Sequence, residues 1–381
     1  MRKKLFRSAD YGCGLRLTLA ASILCLAPLV SAQDGADLSD ISLPPGFQIE
    51  IWTDAVPNAR SMALGDNGTV FVATRRDGRV YAVTPADDGD HIVTTLAEGL
   101  KMPNGVAFHD GALFVAENHR IIRFDNIESS LNRVPEPKVV IDTLSPESHH
   151  GWRYIDFGPD GKLYIALGAP CNVCEREGAA NISRMNPDGS GQEIFAEGIR
   201  NSVGLTWHPE TGELWFTDNG RDMLGDDIPP GELNHAPIAG MHFGFPYCHG
   251  GDIPDPEFGD ARQCSEFEAP AQKLGPHVAP LGLVFYTGDS FPASYRGQAF
   301  IAEHGSWNRS KKIGYRVTLV RFEDGRPSGY EVFAEGWLQN EKVSGRPVDL
   351  LVLDDGSMLV SDDQSGAIYR ISYIRPLNEG V

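Results

Sequence analysis

Six copies of one hairpin pattern constrain this chain more than any other feature. Each copy is an apolar stretch that enters a glycine-containing turn and returns as a second apolar stretch, at residues 61–73, 105–116, 154–166, 204–217, 282–302 and 350–361. Strand-forming residues around a turn whose glycine tolerates positive φ read as a β-hairpin. A third strand follows several copies, as at 79–83, 121–124 and 367–371. The turn glycines Gly68, Gly111 and Gly161 lie 43 and then 50 residues apart. A period of ~40–50 residues with about four strands per unit is that of a propeller blade. Long helical periodicity is absent. The expectation is therefore all-β, a six-bladed β-propeller, with residues 47–52 completing the last blade and closing the ring.

The first 32 residues stand outside this repeat. Arg2, Lys3, Lys4, Arg7 and Arg16 precede an apolar run over 17–30 that ends in Val30-Ser31-Ala32. The run is shorter than the ~20 residues that span a bilayer, and its flanks are those of a cleaved secretory signal. The expected organisation is a signal peptide over 1–32 and one propeller domain over 33–381, periplasmic or secreted, with no membrane insertion after cleavage. Residues 33–381 hold 28 Lys and Arg against 51 Asp and Glu. Such an anion is repelled by phosphate backbones and anionic lipid, which disfavours nucleic-acid and membrane-surface roles. The four cysteines beyond the signal are Cys171, Cys174, Cys248 and Cys264. In an oxidising compartment an even count implies disulfides, and sequence proximity favours Cys171–Cys174 and Cys248–Cys264. Covalent haem attachment at the first pair requires a following His, and Glu175 stands there.

Loops at one end of adjacent blades converge on the propeller axis, so residues just before a first strand or just after a second strand are the pocket candidates. These loops are cationic for so acidic a chain. They carry Arg60, the run His149-His150-Gly151-Trp152-Arg153, Arg200-Asn201, Arg346, and the run His304 to Arg309 that contains Trp307. Gathering like charges at matching repeat positions makes sense when a polyanionic ligand sits among them. Two long stretches, 219–268 and 286–296, read as insertions that decorate the fold and wall a cleft.

These loops also carry a family resemblance. The segment 149–161 resembles the catalytic-base segment of pyrroloquinoline-quinone (PQQ) dependent soluble sugar dehydrogenases, and Gly198-Ile199-Arg200-Asn201 resembles their cofactor-binding segment. Asp218-Asn219-Gly220-Arg221 followed by Glu232-Leu233-Asn234 resembles their calcium loop, and His242 to Pro246 a turn that follows it. The resemblance runs from about Leu43 to Tyr373, and the His304 to Arg309 segment is similar to the sorbosone-dehydrogenase-like branch. It implies a six-bladed dehydrogenase that oxidises a sugar or sugar-derived aldehyde or alcohol and passes electrons to a further acceptor. It implies His149 as the base, with His150 as its rival; Arg200 and Asn201 on the quinone; Arg60, Arg309 and Arg346 on its carboxylates; His304 and Trp307 lining the pocket; and the carbonyls of Gly220 and Arg221 on Ca²⁺.

The residue types suit that chemistry. Taking a hydroxyl proton near neutrality suits an imidazole, and polarising a quinone carbonyl suits a guanidinium and a divalent cation. The chain departs from the family pattern at Arg221, where Pro is usual, and at Gly231, where Asp is usual. Two other functions fit the architecture: a calcium-dependent lactonase, which needs carboxylates and Asn on the axis, and a non-catalytic propeller that binds a glycan or protein.

Overall fold

The computed structural model describes residues 38–86 and 89–374, and the expected signal segment lies outside them. Six sheets of four or five strands make a six-bladed β-propeller. Their innermost strands are Ala59–Leu64, Gly105–His109, Ile155–Phe157, Leu205–Trp207, Pro280–Phe285 and Pro347–Val352. Each is followed by an antiparallel partner across the expected turn, so every hairpin read from the repeat is present. The ring closes as the pattern implied: Phe47–Thr53 pairs antiparallel with Ile368–Tyr373, Ile49 opposite Ile371.

Aromatic side chains on the sheet faces seal neighbouring blades. Phe71 stacks on Phe108 at 5.6 Å, His109 on Phe157 at 4.1 Å, and Tyr164 meets Trp207 edge-on at 5.2 Å. Burying each large apolar ring is worth ~1.5–3 kcal/mol. Glycines let the inner strands crowd around the axis. A methyl group at Gly204 would come within 2.0 Å of the Leu281 carbonyl oxygen, and one at Gly105 within 2.4 Å of that of Arg153.

Both expected insertions need correction. Within 219–268, Pro230–Ala236 is the third strand of the fourth blade, with Glu232 opposite Asp218. Only the excursion after it departs from the blade; Met241–His242 adds in parallel to Glu193–Glu197, and the Cys248–Cys264 disulfide staples the rest. The stretch 286–296 sits at the hairpin turn between Phe285 and Ala299, the strand end remote from Pro280 and His304. It walls no cleft there. Phe291 instead packs on Phe47 at 4.8 Å, where the ring closes.

Candidate functional site

A cavity of about 380 Å³ opens where the chain enters the inner strands and leaves the second ones. Its size falls in the ~300–1,000 Å³ range of small-molecule sites. Arg60, His149, Arg200, Asn201, Gly220, His304, Trp307 and Arg346 line it, all of them candidates from the sequence. His150 lines it as well, beside Arg75 and Arg76, which the sequence reading missed. These two arginines follow the second strand of the first blade, the position that His304 occupies in the fifth, so the same repeat rule would have found them. Asp222 is the one carboxylate in the wall facing these five arginines.

The arginines are held by partners that leave part of each fork free. Arg60, buried, donates from Nε to Asn104 Oδ1 at 2.9 Å and from Nη1 to Asp363 Oδ2 at 2.9 Å. Burial lowers its pKa, with Asp363 opposing. Arg346 donates from Nη2 to His304 Nδ1 at 3.0 Å. A guanidinium only donates, so His304 Nδ1 is the acceptor and its Nε2–H donates to Asp363 Oδ1 at 2.8 Å. Both His304 nitrogens are thereby engaged. Burial pushes its pKa down to about 4, so the ring is neutral. Arg75 lies over the Trp152 ring at 4.5 Å, and burial lowers its pKa to about 10, helped by Arg60. Arg200 donates to Asn172, Asn219 and Asp222, and one Nη1 hydrogen remains for a ligand.

The two histidines, the expected base and its rival, differ in their surroundings. His149 is exposed at the cavity edge, whereas His150 is buried in its wall. An extended loop would turn the neighbouring side chain away from the axis. His150 instead has φ +47°, a left-handed conformation uncommon outside glycine, which brings both rings to the cavity 4.2 Å apart. His150 Nδ1 lies 2.7 Å from the Ala169 carbonyl oxygen. Because a carbonyl only accepts, Nδ1 carries the proton and Nε2 presents a lone pair. Burial, then Arg200 and His149, hold the His150 pKa well below the ordinary imidazole range. His150 is therefore an oriented, neutral imidazole in the cavity wall.

Two candidate side chains turn away from the cavity, although for Arg221 the expected ligand is the carbonyl, which the side-chain contacts leave untouched. Arg309 does not line it: its fork binds the Asp226 and Lys311 carbonyls at 3.0 Å each and Asp227 Oδ1 at 3.1 Å. The Arg221 side chain also turns away, to the buried Asp255 and to Glu257 at 2.5 Å, and Asp255 in turn meets His249 Nε2 at 2.9 Å. Trp307 lies on the rim with 69% of its surface exposed.

What the cavity would hold can be judged from its donors. Besides the free arginine hydrogens, Asn308 lines the wall and its amide Nδ2 is buried without a partner. A donor in that state costs ~1–3 kcal/mol unless something accepts from it. An oxygen-rich, multiply anionic ligand fits this wall. For a hard cation, the wall offers the Asp222 carboxylate close to Gly220.

The sequence model described as TrAA12-like matches residues 41–373. An uncharacterized protein of Borreliella burgdorferi is 34% identical over 351 residues, 88% of this chain and 91% of that protein. The calcium structure of the Trichoderma reesei carbohydrate-active enzyme of family AA12 superposes with a TM-score of 0.78 at 19% identity, covering 88% and 97% of the two chains. The holo form of the pyranose dehydrogenase PQQ domain of Coprinopsis cinerea gives 0.75 at 19% identity, covering 87% and 97%.

Proposed function

The chain belongs to the TrAA12-like family, and from that premise we propose that it is a PQQ-dependent dehydrogenase that oxidises a hydroxyl of a sugar or sugar-derived substrate. The observation that carries the reading is the gathering of five arginines around one wall carboxylate, beside a buried neutral imidazole, in a chain of net charge −19. Bound PQQ would supply a quinone carbon that takes a hydride, its oxygen polarised by Ca²⁺ on the carbonyls of Gly220 and Arg221.

The protein's own part is positioning and proton transfer. Arg60, Arg75 and Arg346 grip carboxylates with the N–H groups that Asn104, Asp363, Trp152 and His304 leave free. Arg200 and Asn201 hold the quinone end. Asn201 is itself fixed, its N–H donating to Asp218 Oδ1 at 2.6 Å and its Oδ1 accepting from Trp152 Nε1 at 3.1 Å. The substrate hydroxyl gives its proton to His150 Nε2 as the carbon-bound hydrogen leaves with its electron pair, which yields a carbonyl product. Ala169 keeps the imidazole in the accepting tautomer. Trp307, at the rim, covers the bound ligands. The second disulfide and the acidic surface suit an exported protein, and we place the enzyme outside the cytoplasm.

The test is a titration of the purified apo-protein with PQQ and Ca²⁺, followed by stepwise addition of aldoses and polyols while the absorbance is scanned. Saturable cofactor binding and bleaching of the quinone by at least one sugar are expected. A protein that binds no PQQ, or binds it and reduces it with no sugar, overturns the reading.

A further inference from the structure

The Cys171–Cys174 disulfide closes a loop of only four residues. In the chain-entropy account the global stabilisation from a disulfide shrinks with the length of the loop it closes, so this pair contributes less to the fold than Cys248–Cys264, whose partners lie 16 positions apart against three here. Its effect is local, and the residue it constrains is Asn172.

Asn172 makes four contacts on two elements of the next blade. Arg200 Nε donates to its carbonyl at 2.9 Å, and Arg200 Nη2 donates to its Oδ1 at 2.8 Å. The Asp222 N–H donates to the same Oδ1 at 2.9 Å, and Asn172 Nδ2 donates back to the Asp222 carbonyl at 3.1 Å. Asp222 Oδ2 closes the set, 2.9 Å from Arg200 Nη2. Asn172 itself is absent from the cavity wall, whereas Arg200, Asp222 and Gly220 form part of it. Everything Asn172 does for a ligand therefore passes through Arg200 and the 219–222 turn.

We propose that the Cys171–Cys174 loop is a positioning device for the cavity, in which Asn172 is the positioning residue that aims Arg200 and ties it to the turn carrying Gly220 and Asp222. The disulfide holds Asn172 where both its carbonyl and its amide face the guanidinium. An open loop would lose that arrangement to backbone freedom. The inference rests on the cavity being the PQQ site proposed above.

The experiment measures PQQ affinity, by fluorescence titration well below the melting temperature, in the full-length exported protein and its variants. Asn172→Ala and the double variant Cys171→Ser/Cys174→Ser are each expected to weaken PQQ binding ~10-fold, the size of a lost charge-assisted contact. Asn172→Asp keeps the acceptor for Arg200 and is expected to recover most of that loss. A role confined to stability would lower the melting temperature and leave the affinity unchanged. The decisive arm is a double-mutant cycle: with Arg200→Ala already present, Asn172→Ala should add almost nothing, because it acts through that side chain. Additive effects, or unchanged affinity in Asn172→Ala while the wild type binds, overturn this proposal alone. Absence of PQQ binding by the wild type removes the cofactor reading and this one with it. Should the serine variant fail to fold, Asn172→Ala and Asn172→Asp, which keep the disulfide, decide the matter.

Discussion

His150 Nδ1 and the Ala169 carbonyl oxygen stand 2.7 Å apart, and that single contact fixes which imidazole nitrogen faces the cavity. The contact joins the loop before one inner strand to the loop after its hairpin partner, so the third blade itself aims the ring. His150→Ala is expected to slow reduction of bound quinone by ~10²–10⁴-fold, the usual contribution of a positioned base. His149→Ala should stay within a few-fold of wild type. Stopped-flow absorbance of the loaded variants checks this, and the opposite order would return the role to His149. Because the His150 pKa is held well below 6.5, the rate should be flat through neutrality and fall only on the acid side.

Asp363 lies between Arg60 Nη1 and His304 Nε2. Although burial pushes its carboxyl up, His304, then Arg60 and Arg346, hold it well below the usual carboxylate range. Its ionised form therefore stabilises the fold at any pH above the unfolded value of 3.8, and that contribution fades as pH falls toward the folded value. Asp363→Asn should cost ~3–5 kcal/mol near neutrality, as when a buried pair is broken. The difference should narrow in strong acid. Urea denaturation at a series of pH values measures it.

Asp349 shows the opposite sign. It is buried and shifted up to about 6, chiefly by burial, while its Oδ2 accepts from the Met62 N–H at 2.8 Å. A raised folded pKa means that ionisation destabilises the fold as pH rises from 3.8 through about 6. Asp349→Asn keeps an acceptor for Met62 and cannot ionise. Its melting temperature should exceed that of the wild type at about pH 8 and converge with it toward about pH 4. Thermal scans across that range decide it, and an unchanged gap at all pH values would count against the argument.

Chelation offers a separate handle on the 219–222 turn. With few protein oxygens in the wall, a cation there depends on the ligand for part of its shell. EGTA should therefore weaken PQQ binding, and Ca²⁺ should restore it better than Mg²⁺, whose octahedral demand is stricter. Equal PQQ affinity with and without chelator would remove the metal from the site.

The blades were legible because each hairpin has a turn glycine flanked by strand formers, a signal local in the chain. The cavity was legible for the same reason: Arg60, Arg200, His304 and Arg346 occupy matching places in different repeats, so the topology alone brings them together. The failures are those of long-range capture. Arg309 follows the same rule, but Asp226 and Asp227, more than 80 residues upstream, take its fork. The left-handed backbone of His150 defeats any assignment made by counting alternate side chains, and nothing in the sequence announces it. Asn172 was invisible because the two cysteines around it read only as a staple.

The pairing of Phe47–Thr53 with Ile368–Tyr373 has a consequence for biogenesis. The outer strand of the last blade leaves the ribosome before the other five blades, and its partner after them. Until then residues 47–53 present an open strand edge, which is a template for pairing with another chain, and no ring can form. Closure of the ring must therefore wait for residues 368–373. Loss of the final strand should leave no smaller propeller behind, only an aggregation-prone remnant.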